Sequence, residues 1–263
     1  QRQIKNRITK FIKEQVIVPT NYGLKSILNN GKEQIFVPLG SQKVKSKEVW
    51  ELANRIKHLL IPTKEKFEVW RQIINNNLTL NTLQEKYISD VSPETKRNYL
   101  LKNNLLSEWL NSFFELCSKC EDIDFLKNLK IPAADGYFKN VQNIRFTKDT
   151  DDQLIDLLIL ADPKLKEELV FKGIIIPKEI QSYAKIMDRS SIAKIIEEKV
   201  IIDLSENNEG TRSPDVEHFF AELLKYLKLN KEAKTILPKA YERRNSLRPI
   251  SFEKNLNTFV DLA

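Results

Sequence analysis

The sequence predicts a predominantly helical α+β protein, and three observations support this fold class. Apolar residues recur at helical spacing over most of the 263 residues. Short apolar segments that end at a proline interrupt these stretches and are typical of brief strands. Only 6 glycines are present, which disfavours glycine-rich phosphate loops and β architectures with many turns. We therefore expect a degenerate repeat of strand-turn-strand-helix units, with a helical insert between the copies.

The first unit is expected at residues 1–62. It combines an amphipathic helix, two short strands around a turn, and a second helix that stops before Pro62. In chain order these elements are assigned to the helical positions Ile4, Ile8, Phe11 and Ile12, the strand Val16–Val18, the turn Asn21–Gly23, the strand Ile35–Val37 and a helix with Ser46 as its N-cap.

A helical insert is expected at residues 63–128, because the segment from Lys64 to about Cys120 shows helical spacing almost throughout. Within it, Ser92-Pro93-Glu94 has the composition of a helix start with proline at the first helical position. The most apolar helix is predicted over residues 105–116. The 3 tryptophans occur at helical spacing, so we expect them to anchor the core rather than to hold a ligand.

The second repeat unit is expected at residues 129–204. It begins with a turn at Ala134–Tyr137, whose glycine supplies a positive φ. A strand at Ile144–Phe146 and a first helix follow, and a second helix is opened by Pro163 and stopped by Gly173.

The end of that unit and the C-terminal segment, residues 205–263, are also predicted to be mostly helical. Residues 180–199 have the pattern of a helix, and Val200–Ile202 that of a short buried strand. The stretch from 205 to 214 has the composition of a loop, and an amphipathic helix follows over 216–229.

The repeat is inferred from matched landmarks in the two units. In each, a glycine lies four residues after a proline, and an Ile-Pro pair comes 43 or 45 residues after that proline. The landmarks are Pro19, Gly23 and Ile61-Pro62 in the first unit and Pro132, Gly136 and Ile176-Pro177 in the second. We therefore expect segments 16–62 and 129–177 to have similar structures.

The charge of the chain introduces a second class of function. A net charge of +7 and a pI near 9.2 are compatible with nucleic-acid binding, although the lysines are spread along the chain beside 36 acidic residues. The tail beyond Pro238 concentrates its basic residues in a short segment. Its arginines could grip a phosphate or carboxylate, and its tyrosine could stack on a base. The candidate contacts for a partner or an anion are Lys239, Tyr241, Arg243, Arg244 and Arg248. A solvated helix face explains the same charges without a ligand.

Cys117 and Cys120 form a C-x-x-C motif. A redox pair requires its first cysteine at a helix N-terminus, where the dipole lowers the thiol pKa, but this motif ends a predicted helix. A zinc site requires two further ligands, and the 2 histidines, His58 and His218, have no paired partner. We therefore expect the motif to be structural.

Glu197-Glu198-Lys199 before the predicted strand Val200–Ile202 is similar to the Glu-x-Lys strand of metal-dependent nucleases. Such a site also requires an upstream acid, for which Asp188 is a candidate, although it is expected in a helix. The simpler interpretation is a charged helix end. A nuclease-like enzyme is thus a second alternative.

Asp149, Asp151 and Asp152 lack the central glycine and closing glutamate of a calcium loop, and we interpret them as carboxylates at a helix start. No Walker A loop, nucleophile elbow, H-E-x-x-H or kinase motif occurs in the sequence. We therefore expect no catalytic residues, no cofactor and no metal, and no tight binding or hydrolysis of ATP.

Three segments of the sequence resemble a known family. Residues 131–139, Ile-Pro-Ala-Ala-Asp-Gly-Tyr-Phe-Lys, and more loosely residues 18–25 resemble the proline-to-glycine turns of sacsin-type proteins. Residues 237–247, Leu-Pro-Lys-Ala-Tyr-Glu-Arg-Arg-Asn-Ser-Leu, are similar to a segment of bacterial members. The resemblance covers about 80 residues in three patches. Such proteins are large polypeptides that carry a GHKL ATPase module, like that of heat-shock chaperones, followed by long linker regions.

The resemblance implies that this chain is a middle or C-terminal region of such a protein, because the ATP-binding Asn and D-x-G-x-G boxes have no match in it. It implies chaperone-like or antiviral-defence assembly work in a bacterial cytoplasm. The start at Gln1 without an initiator Met agrees with a piece of a larger protein. We expect a non-catalytic interaction or scaffold module whose partner is a protein or another region of the same polypeptide. Any nucleic-acid binding is expected to be weak, and no membrane partner is expected.

Overall fold

The computed structural model describes residues 2–56, 59–64, 67–89, 104–206 and 212–248. Helices predominate there and the short strands pair two by two, which confirms the predicted mixed α and β class. Two compact units are present, one of residues 1–143 with 171–184 and the other of residues 144–170 with 185–263. We call them unit 1 and unit 2. The four-part division at residues 62, 128 and 204 stays a prediction.

The described elements run in the following chain order: α1 (Arg2–Gln15), β1 (Ile17–Thr20), β2 (Gly23–Ser26), β3 (Leu28–Asn29), β4 (Lys32–Glu33), β5 (Val37–Pro38), α2 (Ser46–Ala53), α3 (Phe67–Trp70), β6 (Asn77–Leu78), α4 (Leu80–Ser89), α5 (Asn104–Ser118), α6 (Ile123–Lys127), β7 (Lys130–Pro132), β8 (Phe138–Asn140), a 3-10 turn (Val141–Asn143), β9 (Arg145–Lys148), α7 (Asp152–Ala161), a second 3-10 turn (Pro163–Glu167), α8 (Lys178–Gln181), β10 (Lys185–Asp188), α9 (Arg189–Glu206), α10 (Pro214–Leu229), α11 (Ala233–Ile236) and α12 (Pro238–Glu242).

Unit 1 begins with α1 and two hairpins. The predicted turn at Asn21–Gly23 is confirmed: it joins β1 to β2 in an antiparallel pair, with Gly23 at φ +86°. The second hairpin, β3 with β4, was missed by the sequence analysis. Its two-residue turn has Asn30 at φ +51° and Gly31 at φ +76°, and Asn-Gly is the usual sequence of such a turn.

The strand predicted at Ile35–Val37 is shifted, since β5 consists of Val37 and Pro38 and pairs in parallel with β6. Proline is tolerated there because the amides on either side of it make the ladder bonds. Val37 N donates to the Asn76 carbonyl at 2.8 Å, and Leu39 N donates to the Leu78 carbonyl at 3.0 Å. Pro38 therefore occupies a position at which the ladder requires no hydrogen bond from the backbone nitrogen to β6.

Two helix predictions in unit 1 need correction. Helix α2 has Lys45 as its N-cap, because the Ser46 hydroxyl instead accepts from the Gly40 amide at 2.9 Å, and the helix ends at Ala53 rather than near Pro62. The prediction that the segment from Lys64 to about Cys120 is helical throughout also needs correction. A strand, β6, separates α3 from α4. The cap predicted at Ser92-Pro93-Glu94 lies outside the described residues.

The core of unit 1 follows the predicted apolar pattern. In α5, Trp109, Phe113 and Phe114 are buried, and the rings of Trp109 and Phe113 stack at 5.3 Å between centroids. Trp50 and Trp70 are partly buried against a cluster around β1 and β5, formed by Val18, Ile27, Ile35, Val37 and Ile74. The expectation that the tryptophans anchor the core is confirmed for Trp109.

A third hairpin, β7 with β8, contains the second predicted turn, with Gly136 at φ +86°. This hairpin and the β1–β2 hairpin each have a proline in their first strand, Pro132 and Pro19. The carbonyl of each proline accepts a hydrogen bond from a backbone amide that lies later in the chain. Thr63 N donates to Pro19 at 3.0 Å, and Phe171 N donates to Pro132 at 2.9 Å. Ile176-Pro177, expected to correspond to Ile61-Pro62, instead leads into α8.

In unit 2, β9 and β10 form a parallel pair, with Arg145 opposite Lys185 and Lys148 opposite Asp188. The strand predicted at Ile144–Phe146 is thus confirmed with a shift of one residue at its start. The helix predicted from Pro163 is only a 3-10 turn that ends at Glu167.

Three further predictions for residues 180–202 are wrong. The helix predicted over 180–199 is divided, because β10 lies between α8 and α9. Asp188 therefore ends a strand. Val200–Ile202 is helical, since Ile192, Ile196 and Val200 lie on one buried face of α9 and outweigh the β propensity of the Val-Ile-Ile run. The loop predicted at 205–214 lies mainly outside the described residues, and α10 confirms the helix predicted over 216–229.

Candidate protein interaction surface

The basic tail is anchored by apolar residues and exposes its charges. Leu237, Ala240 and Leu247 are buried, whereas the side chains of the predicted basic contacts point to solvent. The exposed residues are Lys239, Arg243, Arg244 and Arg248, and Tyr241 is half-buried. The buried contacts of the segment are therefore made by apolar residues and not by its arginines.

Two of the predicted contacts are brought together, and the backbone of a third is already occupied. The Arg244 guanidinium lies 4.6 Å from the centroid of the Tyr241 ring, so one face of that ring is covered. The Lys239 amide donates to the buried Glu197 carboxylate at 2.7 Å, which places the chain's own anion at the start of α12. Among the described contacts, none joins Lys239, Arg243 and Arg248 into one site.

Arg212, which the sequence analysis did not single out, fixes the course of the tail. Its guanidinium donates to the carbonyls of Arg248 at 2.8 Å and Ser246 at 2.6 Å, and it lies 4.9 Å from the Phe220 ring centroid. An isolated arginine before a helix carries no sequence signal for this role. The tail is therefore held against α10, and its arginines form an exposed basic strip rather than a pocket.

The Cys117-x-x-Cys120 motif ends α5, as predicted. Burial raises the pKa of the Cys117 thiol well above its usual value, and the neighbouring Cys120 raises it further. A redox cysteine requires the opposite shift. Within the described ranges, no group of three or more His, Cys, Asp and Glu side chains is placed to hold a metal ion.

The nuclease-like alternative required a strand at Val200–Ile202, and these residues are helical. Glu197, Glu198 and Lys199 lie in α9, where Glu197 binds the Lys239 amide and Lys199 donates to Asp203 at 2.7 Å. Asp151 is a helix-start carboxylate, as expected, and accepts from the Leu154 amide at 2.8 Å.

Helix α1 presents a second surface, which the sequence analysis did not identify. Its sequence contains five basic residues and one acidic residue, with isoleucine and phenylalanine at helical spacing. Ile4 and Phe11 are each 64% exposed and Ile12 is 39% exposed, whereas Lys13 is only 7% exposed. We call Ile4, Phe11 and Ile12 the α1 apolar stripe. The helix thus buries a lysine and leaves these three apolar side chains exposed.

An ion pair explains this orientation. The Lys13 ammonium donates to the Glu33 carboxylate of β4, and both side chains are largely buried. The other carboxylate oxygen of Glu33 accepts from the Asn75 and Asn76 amides at 2.9 and 3.0 Å. At 100° per residue, Lys13 lies opposite Ile4 on the helix. The pairing of Lys13 with Glu33 therefore turns the α1 apolar stripe away from the hairpins.

The border of the stripe is basic. Arg7 and Lys10 are exposed on one side of it, and the partner of Lys10 among the described residues is the distant, solvent-exposed Glu14, at 3.9 Å. Arg7 makes no ion pair with any acidic residue of the described part of the chain. The amphipathic pattern of residues 4–12 predicted the helix, but nothing in it showed which face would be covered.

None of the described helices has the length and apolar composition needed to cross a membrane. Comparison with protein-family models, curated proteins and solved structures finds no match to this chain. The resemblance to sacsin-type proteins therefore stays an expectation.

Proposed function

We propose that this chain is a non-catalytic interaction or scaffold module of a larger cytoplasmic polypeptide of the sacsin type, and that α1 is its docking element. The observation that carries this proposal is the inverted orientation of α1, which buries Lys13 and exposes Ile4 and Phe11. The resemblance adds the setting, an assembly with chaperone-like or antiviral-defence work.

Covering the stripe would release free energy. Complete burial of an isoleucine or phenylalanine side chain contributes about 1.5–3 kcal/mol. Covering the exposed two-thirds of Ile4 and Phe11 would therefore contribute on the order of 2–4 kcal/mol before the entropic costs of association. That is enough to support a modest interface, and exposed apolar patches commonly mark interaction surfaces.

The degenerate repeat belongs to the same proposal, since repeated units are typical of scaffolds. Two observations support it. Each predicted proline lies in the first strand of an antiparallel hairpin and accepts a hydrogen bond from a returning segment, Thr63 or Phe171. In the first predicted repeat, β5 pairs in parallel with β6, and β6 is followed by α4. In the second, β9 pairs in parallel with β10, and β10 is followed by α9.

Photo-crosslinking tests the docking role of α1. Benzoylphenylalanine would replace Phe11 in the natural polypeptide, and Ile123, which is 54% exposed on α6, would be the matched site. We expect a defined protein adduct from position 11 and none from position 123. Equal adducts from both positions, or none from either, would contradict the proposal. An adduct to nucleic acid would favour the alternative function.

A further inference from the structure

We infer that the partner covering α1 is an acidic amphipathic helix, whose apolar residues lie on the α1 apolar stripe and whose carboxylates face its basic border. This inference rests on the proposed function and specifies the partner class. It is drawn from the shape of the stripe, the sign of the flanking charges and the fixed orientation of α1.

The shape of the stripe suits a helix. Ile4 and Phe11 are two turns apart on one side of α1, about 10 Å along its axis at 1.5 Å per residue. A partner helix that lies along α1 can offer apolar side chains at the same i, i+3, i+4 and i+7 spacing, so that the two rows interdigitate.

The charges favour an acidic partner over a second copy of this chain. Of the charged residues in α1, Lys13 is already neutralised by Glu33, which leaves four basic residues against Glu14. Two copies that met through α1 would bring these like charges together as they shed water, which is unfavourable. Glutamate or aspartate on a partner helix would instead pair with Arg7 and Lys10 across the rim of the stripe.

A membrane surface is less well matched to this helix. Binding in a lipid interface grows with the apolar area that can be immersed. In α1 the opposite face is held by the buried pair of Lys13 with Glu33, and the exposed apolar side chains among those described in the helix are Ile4, Phe11 and, in part, Ile12. Because α1 is held in this orientation, it can insert only this narrow row of apolar side chains into a lipid interface. It cannot rotate to insert a wider face.

Fluorescence anisotropy with three synthetic peptides tests the inference on the whole chain. The first peptide is an amphipathic helix with leucines at i, i+3, i+4 and i+7 and glutamates along both borders. The second carries lysines in place of the glutamates, and the third is a scrambled form of the first. We expect the acidic amphipathic peptide to bind at least about tenfold more tightly than either of the others.

Variants of the chain sharpen the test. Exchanging both Arg7→Glu and Lys10→Glu should weaken binding of the acidic peptide at least about tenfold and favour the lysine peptide, whereas Phe11→Ala should weaken both. The matched control is Lys47→Glu with Lys127→Glu, which makes the same charge change at exposed positions of α2 and α6. The control should leave the preference for the acidic peptide unchanged.

Three outcomes would overturn the inference. These are equal binding of the scrambled peptide, binding to phosphatidylserine vesicles in place of the acidic peptide, and self-association that Phe11→Glu abolishes in sedimentation experiments. Failure of the two proposals is distinguishable. If position 11 crosslinks a protein but the acidic peptide has no advantage over the basic one, only the partner class is wrong. If position 11 crosslinks nothing, the docking role itself is wrong.

Discussion

Helices α1 and α5 both lie in unit 1, and both carry apolar residues at helical spacing, yet they bury opposite kinds of side chain. In α5 the aromatic face packs inward and Phe113 is 1% exposed. In α1 the apolar side faces solvent, and the one described buried side chain is that of Lys13. The same periodicity thus gives a core helix in one place and an uncovered surface helix in the other.

A single buried polar partner can therefore decide which face of a helix is covered. The Glu33 carboxylate binds Lys13 and two backbone amides, so its hydrogen-bonding capacity is met only while α1 keeps this orientation. An unpaired buried charge would cost several kcal/mol, about as much as burying the stripe would provide. The ion pair can therefore oppose the burial of Ile4 and Phe11.

The largest expected effect comes from matched truncations on the two helices. Phe113→Ala should lower the free energy of unfolding of unit 1 by about 3–5 kcal/mol, because it removes a ring that stacks on Trp109 and leaves a cavity. Phe11→Ala should change it by less than about 0.5 kcal/mol. Trp50, Trp70 and Trp109 all lie in unit 1, so tryptophan fluorescence during urea unfolding reports on this unit.

A comparable loss of stability in both variants would show that Phe11 is buried. In that case α1 would pack through its apolar side, and the surface on which the interaction proposal rests would not exist.

A smaller effect is expected from the two ion pairs of α1. Glu33→Ala should lower the free energy of unfolding of unit 1 by about 2–4 kcal/mol, because it leaves Lys13 and two amides without their acceptor. Glu14→Ala is the matched control on the exposed pair with Lys10 and should cost about 0–0.5 kcal/mol. The same fluorescence measurement applies.

A double change separates charge from hydrogen bonding at Glu33. Lys13→Met with Glu33→Gln removes both charges but keeps an oxygen acceptor for the amides of Asn75 and Asn76. We expect it to restore most of the stability lost in Glu33→Ala, because a buried ion pair is often replaceable by uncharged groups of similar size. If Glu33→Ala alone has no effect, the ion pair does not set the orientation of α1.

The sequence predicted most elements that depend on local signals. The turns at Gly23 and Gly136 were identified because glycine readily adopts a positive φ, and α5, α7 and α10 because their apolar faces are continuous. Boundaries failed where tertiary contacts override propensity. The Ser46 hydroxyl is bound by the loop at Gly40, and Val200–Ile202 is helical because α9 buries one side of it.

The candidate sites depended even more on contacts that are distant in sequence. The tail residues were found because their charge is concentrated in a short segment, but their anchor, Arg212, lies more than 30 residues earlier. The partner of Lys13 is 20 residues away, on a strand that the apolar pattern does not reveal. Short polar strands such as β4 carry no alternating pattern, so the surface on α1 could not be inferred without the fold.

The smallest effects are expected from the basic tail, whose described part, up to Arg248, differs from α1 in having no uncovered apolar stripe beside its charges. If it binds nucleic acid, the affinity should be weak and non-specific, about 10⁻⁴ to 10⁻⁶ M at physiological salt, with a salt slope near −0.9 per phosphate contact on duplex DNA. Arg243→Ala, Arg244→Ala and Arg248→Ala together should remove most of that binding. Thermal stability should hardly change, since exposed charges contribute little to it.

The matched control for the tail is Lys228→Ala with Lys231→Ala and Lys234→Ala, which removes the same charge from exposed positions of the same unit. Anisotropy with labelled duplexes of different sequence should show similar losses for both triple variants, because non-specific binding depends on the number of cations rather than on their identity. Arg244 already covers one face of the Tyr241 ring, which limits base stacking there. Sub-micromolar, sequence-dependent binding that only the arginine variant abolishes would instead make the tail the principal site of the chain, and α1 would then be secondary to it.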